Sequence, residues 1–380
     1  MFAVKGFEMQ KMDQYMINNV GVPSAVLMEN AAKSIVDELS ELYPLSQYHQ
    51  RRITIVCGTG NNGGDGIAIG RWLIHLGYKV QFILVGKRER TSKDHQLQMD
   101  ILKALLKGSD SDSILWVDEG SLDAKRAMIK HVLCHSILTL DSLLGTGCNR
   151  TVSILLKEII ELMNEHSETI ISVDIPSGIN SDNGKVMGAA IDADITYTFS
   201  MPKIGSILFP GTKYSGKLVV KDIGIFEEAQ KVLSQKVEIL DQDTLKQAVK
   251  QGAFKRQENS HKGMFGTLGI IAGDSQMLGA TILAVKAAYR VGAGLVKVFV
   301  DTSDAQILLA QVPECVIVKK DSSKAMSEQL DAFINQVDVI AIGPGLSQSN
   351  HAHNLVHYLM QCDKKIIFDA DALNIIAKNM

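Results

Sequence analysis

Short runs of aliphatic and β-branched residues recur along this chain, with a helix-length stretch between successive runs. In the first half they are Ile53 to Cys57, Val80 to Val85, Ile114 to Val117, Ser136 to Leu140 and Thr169 to Val173. Each is apolar at nearly every position, as parallel strands covered on both faces must be. The crossovers are long enough for helices, so the rhythm predicts an open, doubly wound α/β sheet, with Lys217 to Ile223 as a further strand at an edge. Upstream, apolar residues at helical spacing from Met9 to Leu39 are interrupted at Gly21, Val22 and Pro23. That pattern predicts a helix, a break, and a second helix from about Ser24.

The rhythm then lapses and restarts. Between Phe226 and Ala253 glycine thins out and polar, helix-forming residues dominate. After Lys262 the β/α pattern resumes with Leu268 to Ala272, a helix from about Gly279 to Val291, Leu295 to Val300, Val337 to Ile342 and Lys365 to Phe368. A length of 380 residues at 46% hydrophobic composition exceeds what one core usually supports. Two domains are expected, 1–225 and 250–380, joined through 226–249. The second unit stops at Met380 just after a strand and a new helix start, so its sheet is expected to be incomplete.

A formal net charge of -3 and a pI near 6.4 give no basic footprint for nucleic acid and no polybasic membrane patch. Small-molecule chemistry is the expectation. The cysteines, Cys57, Cys134, Cys148, Cys315 and Cys362, form no C-x-x-C pair and leave one over in any disulfide scheme. Such usage points to a reducing cytoplasm. The start, MFAVKGFEMQKMDQ, lacks the signature of a secretory signal, and no apolar run is long enough to span a bilayer. Self-association into a homo-oligomer stays open.

The strand RITIVC runs into GTGNNGGDG and then a helix, whose first backbone amides attract anions. Gly58, Gly60 and Gly63 fit G-x-G-x-x-G, the dinucleotide-binding fingerprint. That fingerprint wants an acidic residue after the next strand, where Lys87, Arg88 and Glu89 stand instead. The basic pair would tolerate a 2′-phosphate, which keeps an NADP-dependent oxidoreductase open. Asn61, Asn62 and Asp65 suit a tight turn, but they also fall near two further polar strand ends, Asp141 before LLGTGCNRT and Asp174 with Ser177 in VDIPSGIN. In open parallel sheets ligands bind at those ends, and three polar loops converging on one edge constitute a site. A non-catalytic binding protein on the same fold is the alternative of a different class.

The segments EMQKMDQYMINNVGVPSAVLMENAAKSI, CGTGNNGGDG, DSLLGTG and VDIPSGIN occur in that order over roughly residues 1 to 225. By them the first domain resembles the NAD(P)H-hydrate epimerase family, whose fold is Rossmann-like. The resemblance implies that Asn61, Asn62, Gly63, Gly64 and Asp65 bind hydrated NADH or NADPH, together with the loop Gly145, Thr146, Gly147, Cys148, Asn149, Arg150 and Thr151. It further implies that Asp174 contacts the reacting part, and that Asn62, Asp141 and Ser177 hold a potassium ion, which as a hard cation suits oxygen ligands. Chemically, C6 of the hydrate bears a hydroxyl beside the ring nitrogen, so nitrogen can help expel it and water can return on the other face. One carboxyl can serve both steps by microscopic reversibility, and Asp174 is the candidate. The alternative is that Asp174 only bonds the PSG turn. The lysine of FSMPKIGSILFPG reads as a loop residue without a role.

In the second unit, HKGMFGTLGIIAGDSQ, VIAIGPGLSQS and FDADALN together resemble the ADP- or ATP-dependent NAD(P)H-hydrate dehydratase family, which is ribokinase-like. The resemblance covers about residues 250 to 380. It implies that Gly345 and Ala280 contact the hydrated dinucleotide, that Asp371 and Asn374 lie near the same cleft, and that ADP or ATP is the cofactor. The family's later histidine-containing loop and Gly-rich G-x-G-D turn have no counterpart here. The expectation is an isomerase of the C6 epimers beside a partial dehydratase domain, with no ADP- or ATP-driven dehydration from this chain.

Overall fold

The computed structural model describes residues 2–106, 113–251, 256, 258–274 and 276–378. The chain divides into two compact units, Met1–Asp241 and Gln242–Met380. The division falls inside the segment 226–249.

The strands of the first unit are β1 (Phe2–Val4), β2 (Arg52–Cys57), β3 (Lys79–Val85), β4 (Ile114–Val117), β5 (Ser136–Ser142), β6 (Ile170–Val173), β7 (Ile195–Phe199), β8 (Lys217–Lys221) and β9 (Lys236–Glu238). Its main sheet has seven strands in the order β4-β3-β2-β5-β6-β7-β8, and every neighbouring pair is parallel. Alternate residues of one strand feed opposite cores. Ile53, Ile55 and Cys57 of β2 pack with the helices Ser24–Leu42 and Asn61–His75 on one face. Val56 points the other way, toward Leu133 and Ile160 of the helices Leu122–Cys134 and Ile154–His166. Both faces are therefore covered, which is why the strands read as apolar runs.

Strand β7, ITYTF, gave no such signal. Its threonines Thr196 and Thr198 are fully buried, and Thr196 satisfies its hydroxyl by donating to the Ser215 carbonyl at 2.7 Å. A buried threonine that finds an acceptor behaves as a β-branched core residue, which composition alone does not reveal. The short pair β1 and β9 forms a separate antiparallel ladder that ties residues 236–238 back to the first unit. Around it the N-terminal segment is fastened at several points. Val4 N–H donates to the Pro202 carbonyl at 3.0 Å, Gly6 N–H donates to Asp182 Oδ1 at 2.7 Å, and fully buried Glu8 accepts from Ser234 N–H at 3.2 Å.

In the second unit, β10 (Thr267–Ile271), β11 (Leu295–Val300), β12 (Val316–Lys319), β13 (Val339–Ile342) and β14 (Lys365–Phe368) make a five-stranded parallel sheet in the order β12-β11-β10-β13-β14. The edge strand β12 was not expected from sequence, being short and largely unburied. The other edge, β14, exposes Ile367. Among the described residues no helix is long and apolar enough to cross a membrane.

The strand order of the main sheet reverses between β2 and β5, and that of the second between β10 and β13. Such switch points open a crevice at the carboxyl ends of the strands. Approach of the covering helix in the first unit is set by Gly70, where a β-carbon would lie 2.3 Å from the Phe82 ring and 2.8 Å from Ile55 Cδ1. Gly70→Ala should gain roughly 1 kcal/mol in helix propensity. Overpacking of the buried ring should outweigh it, leaving the first unit about 1–3 kcal/mol less stable. Both tryptophans, Trp72 and Trp116, lie in this unit, so denaturant unfolding followed by their fluorescence reads it directly. A more stable variant would show that the helix can stand off the sheet.

Candidate active site

Backbone approach comes first, because it places everything else. The turn after β2 passes so close to the turn after β5 that a β-carbon on Gly58 would meet the Leu143 carbonyl oxygen at 2.0 Å. One on Gly63 would meet the Gly58 carbonyl oxygen at 1.9 Å. Only glycine fits at either place. With the turn pressed in, the helix Asn61–His75 begins at the sheet edge and Asn62 is carried inward, 8% exposed. Its amide nitrogen and oxygen both lack a hydrogen-bond partner.

Across the switch point, the fully buried Asp141 ends β5. Its Oδ1 accepts from the Ser177 hydroxyl at 2.5 Å and Leu143 N–H at 3.2 Å; its Oδ2 accepts from Ser172 Oγ and Ser177 N–H, each at 2.8 Å. Burial raises the Asp141 carboxyl above its ordinary range, and these donors pull it back only in part. Among the described residues no cationic side chain pairs with it. The Ser177 hydroxyl in turn accepts from Leu144 N–H at 2.8 Å, which locks the loop after β5 to the PSG turn. The same loop is held further along, where Ser181 donates to the Thr146 carbonyl at 3.0 Å and Asn180 to the Cys148 carbonyl at 3.2 Å.

Asp174 follows β6 in the left-handed region, at φ 71°. Its Oδ1 pairs with the Lys203 ammonium and accepts from Phe199 N–H at 3.3 Å. Lys203 is fully buried and also donates to Thr198 Oγ1 at 3.1 Å and the Phe199 carbonyl at 3.2 Å. The loop reading of this lysine is thereby corrected. A buried ammonium needs anionic and carbonyl partners, and these come from β7 and Asp174, remote in sequence.

These elements wall a cavity of about 1080 Å³. Of the residues singled out in the sequence, Asn61, Asn62, Asp65, Gly145, Thr146, Gly147, Cys148, Arg150, Thr151 and Asp174 line it. Gly63 and Gly64 are buried behind the turn, Asp141 and Ser177 lie behind the wall, and Asn149 is exposed on the same loop. Lys203, read from sequence as a loop residue without a role, and Asp13, not singled out there, also line the cavity. Asp65 is driven well above the usual carboxylate range, first by burial and then by Asp174, Asp13 and Asp94, with Lys203 the one opposing charge. A paired Lys and a helical Asp carry no local motif, which is why the sequence did not mark them.

In the second unit the turn after β13 holds Gly345 at φ 63°, where a β-carbon would sit 3.0 Å from Ala280 Cβ and 2.9 Å from Met277 Cβ. Gly345 and Ala280 are thus adjacent at the switch point. Asp371 Oδ2 accepts from Ser347 N–H at 2.9 Å on the neighbouring turn, and Asn374 follows one turn later on the helix Asp371–Lys378.

Comparison with known proteins matches both units. The family model described as YjeF-related protein N-terminus covers residues 24–205, and that described as NAD(P)H-hydrate dehydratase covers residues 268–380. The bifunctional NAD(P)H-hydrate repair enzyme of Moorella thermoacetica is 33% identical over 385 residues, spanning 99% of this chain and 70% of its own. The NAD(P)H-hydrate epimerase of Weissella koreensis is 36% identical over 228 residues, spanning 60% of this chain and 94% of its own. Among solved structures, that of the yeast protein ynu0 aligns at a TM-score of 0.51 and 18% identity over 64% of this chain and 98% of its own, a likeness of fold. With 99% of the chain matched to a bifunctional relative, of which it covers 70%, and each unit matched in turn, the chain belongs to the family of bifunctional NAD(P)H-hydrate repair enzymes, in which an isomerase domain is joined to a lyase domain.

Proposed function

We propose that the first unit interconverts the two C6 epimers of hydrated NADH and NADPH in the cavity at the β2/β5 switch point. Asp174 is a carboxyl that exchanges a proton with water at C6. The observation that carries this reading is Asp174 itself: a carboxylate in strained backbone, anchored on one oxygen by a fully buried lysine, opening on a cavity large enough for a dinucleotide. The backbone strain and the buried ammonium fix where the proton is delivered, which is the positioning that proton transfer requires. Asn61, Asp65 and the loop Gly145 to Thr151 bind the dinucleotide in this reading. The second unit is of the class that dehydrates the hydrate to NAD(P)H using ADP or ATP, with Ala280 and Gly345 at its dinucleotide site.

The residues proposed for potassium fit a hard monovalent cation in their chemistry. Asn62 offers an unpartnered buried amide oxygen, and Asp141 is a buried acid with no cationic side chain paired to it among the described residues. Asn62, Asp141 and Ser177 would hold the ion, which would neutralise Asp141 and steady the turn that faces the substrate. Asp141 and Ser177 also fix each other by hydrogen bonds, which keeps the two loops in register.

Asp174→Asn should lower epimerisation by about 100-fold or more, measured by chromatography of the two hydrates above the spontaneous rate. Asparagine accepts the left-handed backbone and keeps the shape, so the loss isolates the proton. An unchanged rate would sink the role given to Asp174.

For the ion, the unmodified protein should melt at a higher temperature in potassium chloride than in choline chloride at equal ionic strength, since a ligand of the folded state stabilises it. Asn62→Ala should shrink that difference. Equal melting in both salts, with and without the substitution, would remove the cation site.

A further inference from the structure

Among the carboxyls that line the same cavity, Asp13 comes from a segment outside the residues matched by the family model of the first unit. On the helix Gly6–Tyr15 and the turn after it, Met9, Gln10, Asp13 and Ile17 line the cavity, a single face at helical spacing. Met12 and Met16, on another face, are buried in the apolar cluster that includes Ala229 and fix the helix's rotation. The helix is held where it is by the ties already described, and one of them is adjacent to the lysine of the site. Val4 bridges to Lys203 and donates to the carbonyl of Pro202, so the ladder that starts this segment is built onto the turn that carries Lys203. Asp13 consequently lies within electrostatic reach of Lys203, Asp174 and Asp65. Glu8 and Lys11, on the side away from the cavity, are engaged with Ser234. The Asp13 carboxyl accepts no hydrogen bond from any described residue, whereas the Asp141 carboxyl accepts four. A half-buried carboxyl that holds up no part of the fold and opens on the cavity is free to act on what the cavity binds.

We propose that Asp13 is a second catalytic carboxyl of the epimerase site, transferring a proton on the ring face opposite to that served by Asp174. The inference rests on the functional reading above and deepens it. Inversion at C6 needs the hydroxyl to leave one face and water to arrive at the other. As the C6–O bond breaks, the ring-nitrogen lone pair forms the C6=N bond, and a carboxylic acid supplies the proton that lets oxygen depart as water. Water then attacks C6 from the other face, the C=N pair returns to nitrogen, and the proton released goes to the second carboxylate. One proton is given and one is taken, so the cycle balances with no co-reactant, and the pair is left poised for the reverse direction. Burial, with the negative charge of Asp174 and against the pull of Lys203, pushes the Asp13 carboxyl up to about 6. Asp13 can thus carry a proton close to neutral pH.

The test is the pH profile of epimerisation, corrected for the spontaneous rate, in the unmodified protein, Asp13→Asn and Asp13→Glu. For the unmodified protein kcat should fall as pH rises through about 6, because the protonated acid is lost. Asp13→Asn should lower kcat by about 100-fold with KM within threefold, and should abolish that limb, while Asp13→Glu should recover part of kcat and restore a limb. The asparagine variant should melt no lower than the parent at pH 7.5. An acid whose folded pKa is raised lowers stability as pH climbs from its unfolded value through the folded one, and asparagine has no such loss. A profile with no limb near 6 in the unmodified protein overturns the inference even if the variants fold poorly. Turnover retained in Asp13→Asn but lost in Asp174→Asn also overturns it and leaves Asp174 as the sole proton carrier. Turnover retained in Asp174→Asn overturns the functional reading, and this inference with it.

Discussion

The first unit depends on one backbone crossing. Where the chain leaves β2 it passes within hydrogen-bonding distance of the end of β5, Gly58 N–H donating to the Ser142 carbonyl at 2.9 Å, and no side chain can be present at the crossing. Any β-carbon there would push the helix Asn61–His75 off the sheet. The helix would then no longer present Asn62 and Asp65 to the crevice, and Gly145, whose β-carbon would lie 3.3 Å from Asn62 Cβ, would lose its neighbour. The crossing therefore joins the two halves of the doubly wound sheet and creates the cavity between them. Fold and site are set by the same contact.

Two aspartates end adjacent strands, and their surroundings give them different work. Asp141 spends its acceptor positions on hydroxyls and amides of Leu143 and Ser177 in the two turns and of Ser172 in β6, so it acts as the fastener of the loops. Asp174 is anchored from one side only, through Oδ1, and its side chain retains 14% exposure toward the cavity. An acid enclosed by donors cannot exchange a proton with a ligand, and one that is half open can. The strain at Asp174 follows from this placement, because the left-handed turn is what points the carboxyl out of the sheet edge instead of back into it.

Much of this was legible from sequence wherever the signal was local. The apolar runs located β2 to β6 because both faces of those strands are buried, and the glycine-rich turns located the switch point because close approach demands glycine. The boundaries shifted by a residue or two where polar groups continue the ladder, as Asp141 and Ser142 extend β5 beyond Leu140. Signals that depend on distant partners were silent. Strand β7 hides behind threonines satisfied by residues about twenty positions away. Lys203 looks like an ordinary surface lysine until Asp174 and the Phe199 carbonyl are brought around it. Asp13 sits on a weakly amphipathic helix whose orientation is decided by a ladder to residues 236–238, which no pattern near Asp13 announces.

In the proposed reading, the acids crowded around Asp65 suit a cationic intermediate. Around Asp65 the fold gathers Asp174, Asp13 and Asp94, with Lys203 opposing them, and this repulsion adds to burial in raising Asp65 and Asp13. That arrangement costs stability when the cavity holds only water or a neutral ring. A hydrated nicotinamide ring is neutral, but the iminium formed when its hydroxyl leaves is positive, so the repulsion among the carboxylates is relieved only as the reaction proceeds. Interactions stronger in the transition state than in the bound substrate are the ones that accelerate a reaction. In the proposed reading, the crowding that raises Asp13 and Asp65 would be relieved as positive charge develops at C6. It is supplied by elements with no other reason to approach one another: the first helix, the helix after β2, and the ends of β6 and β7.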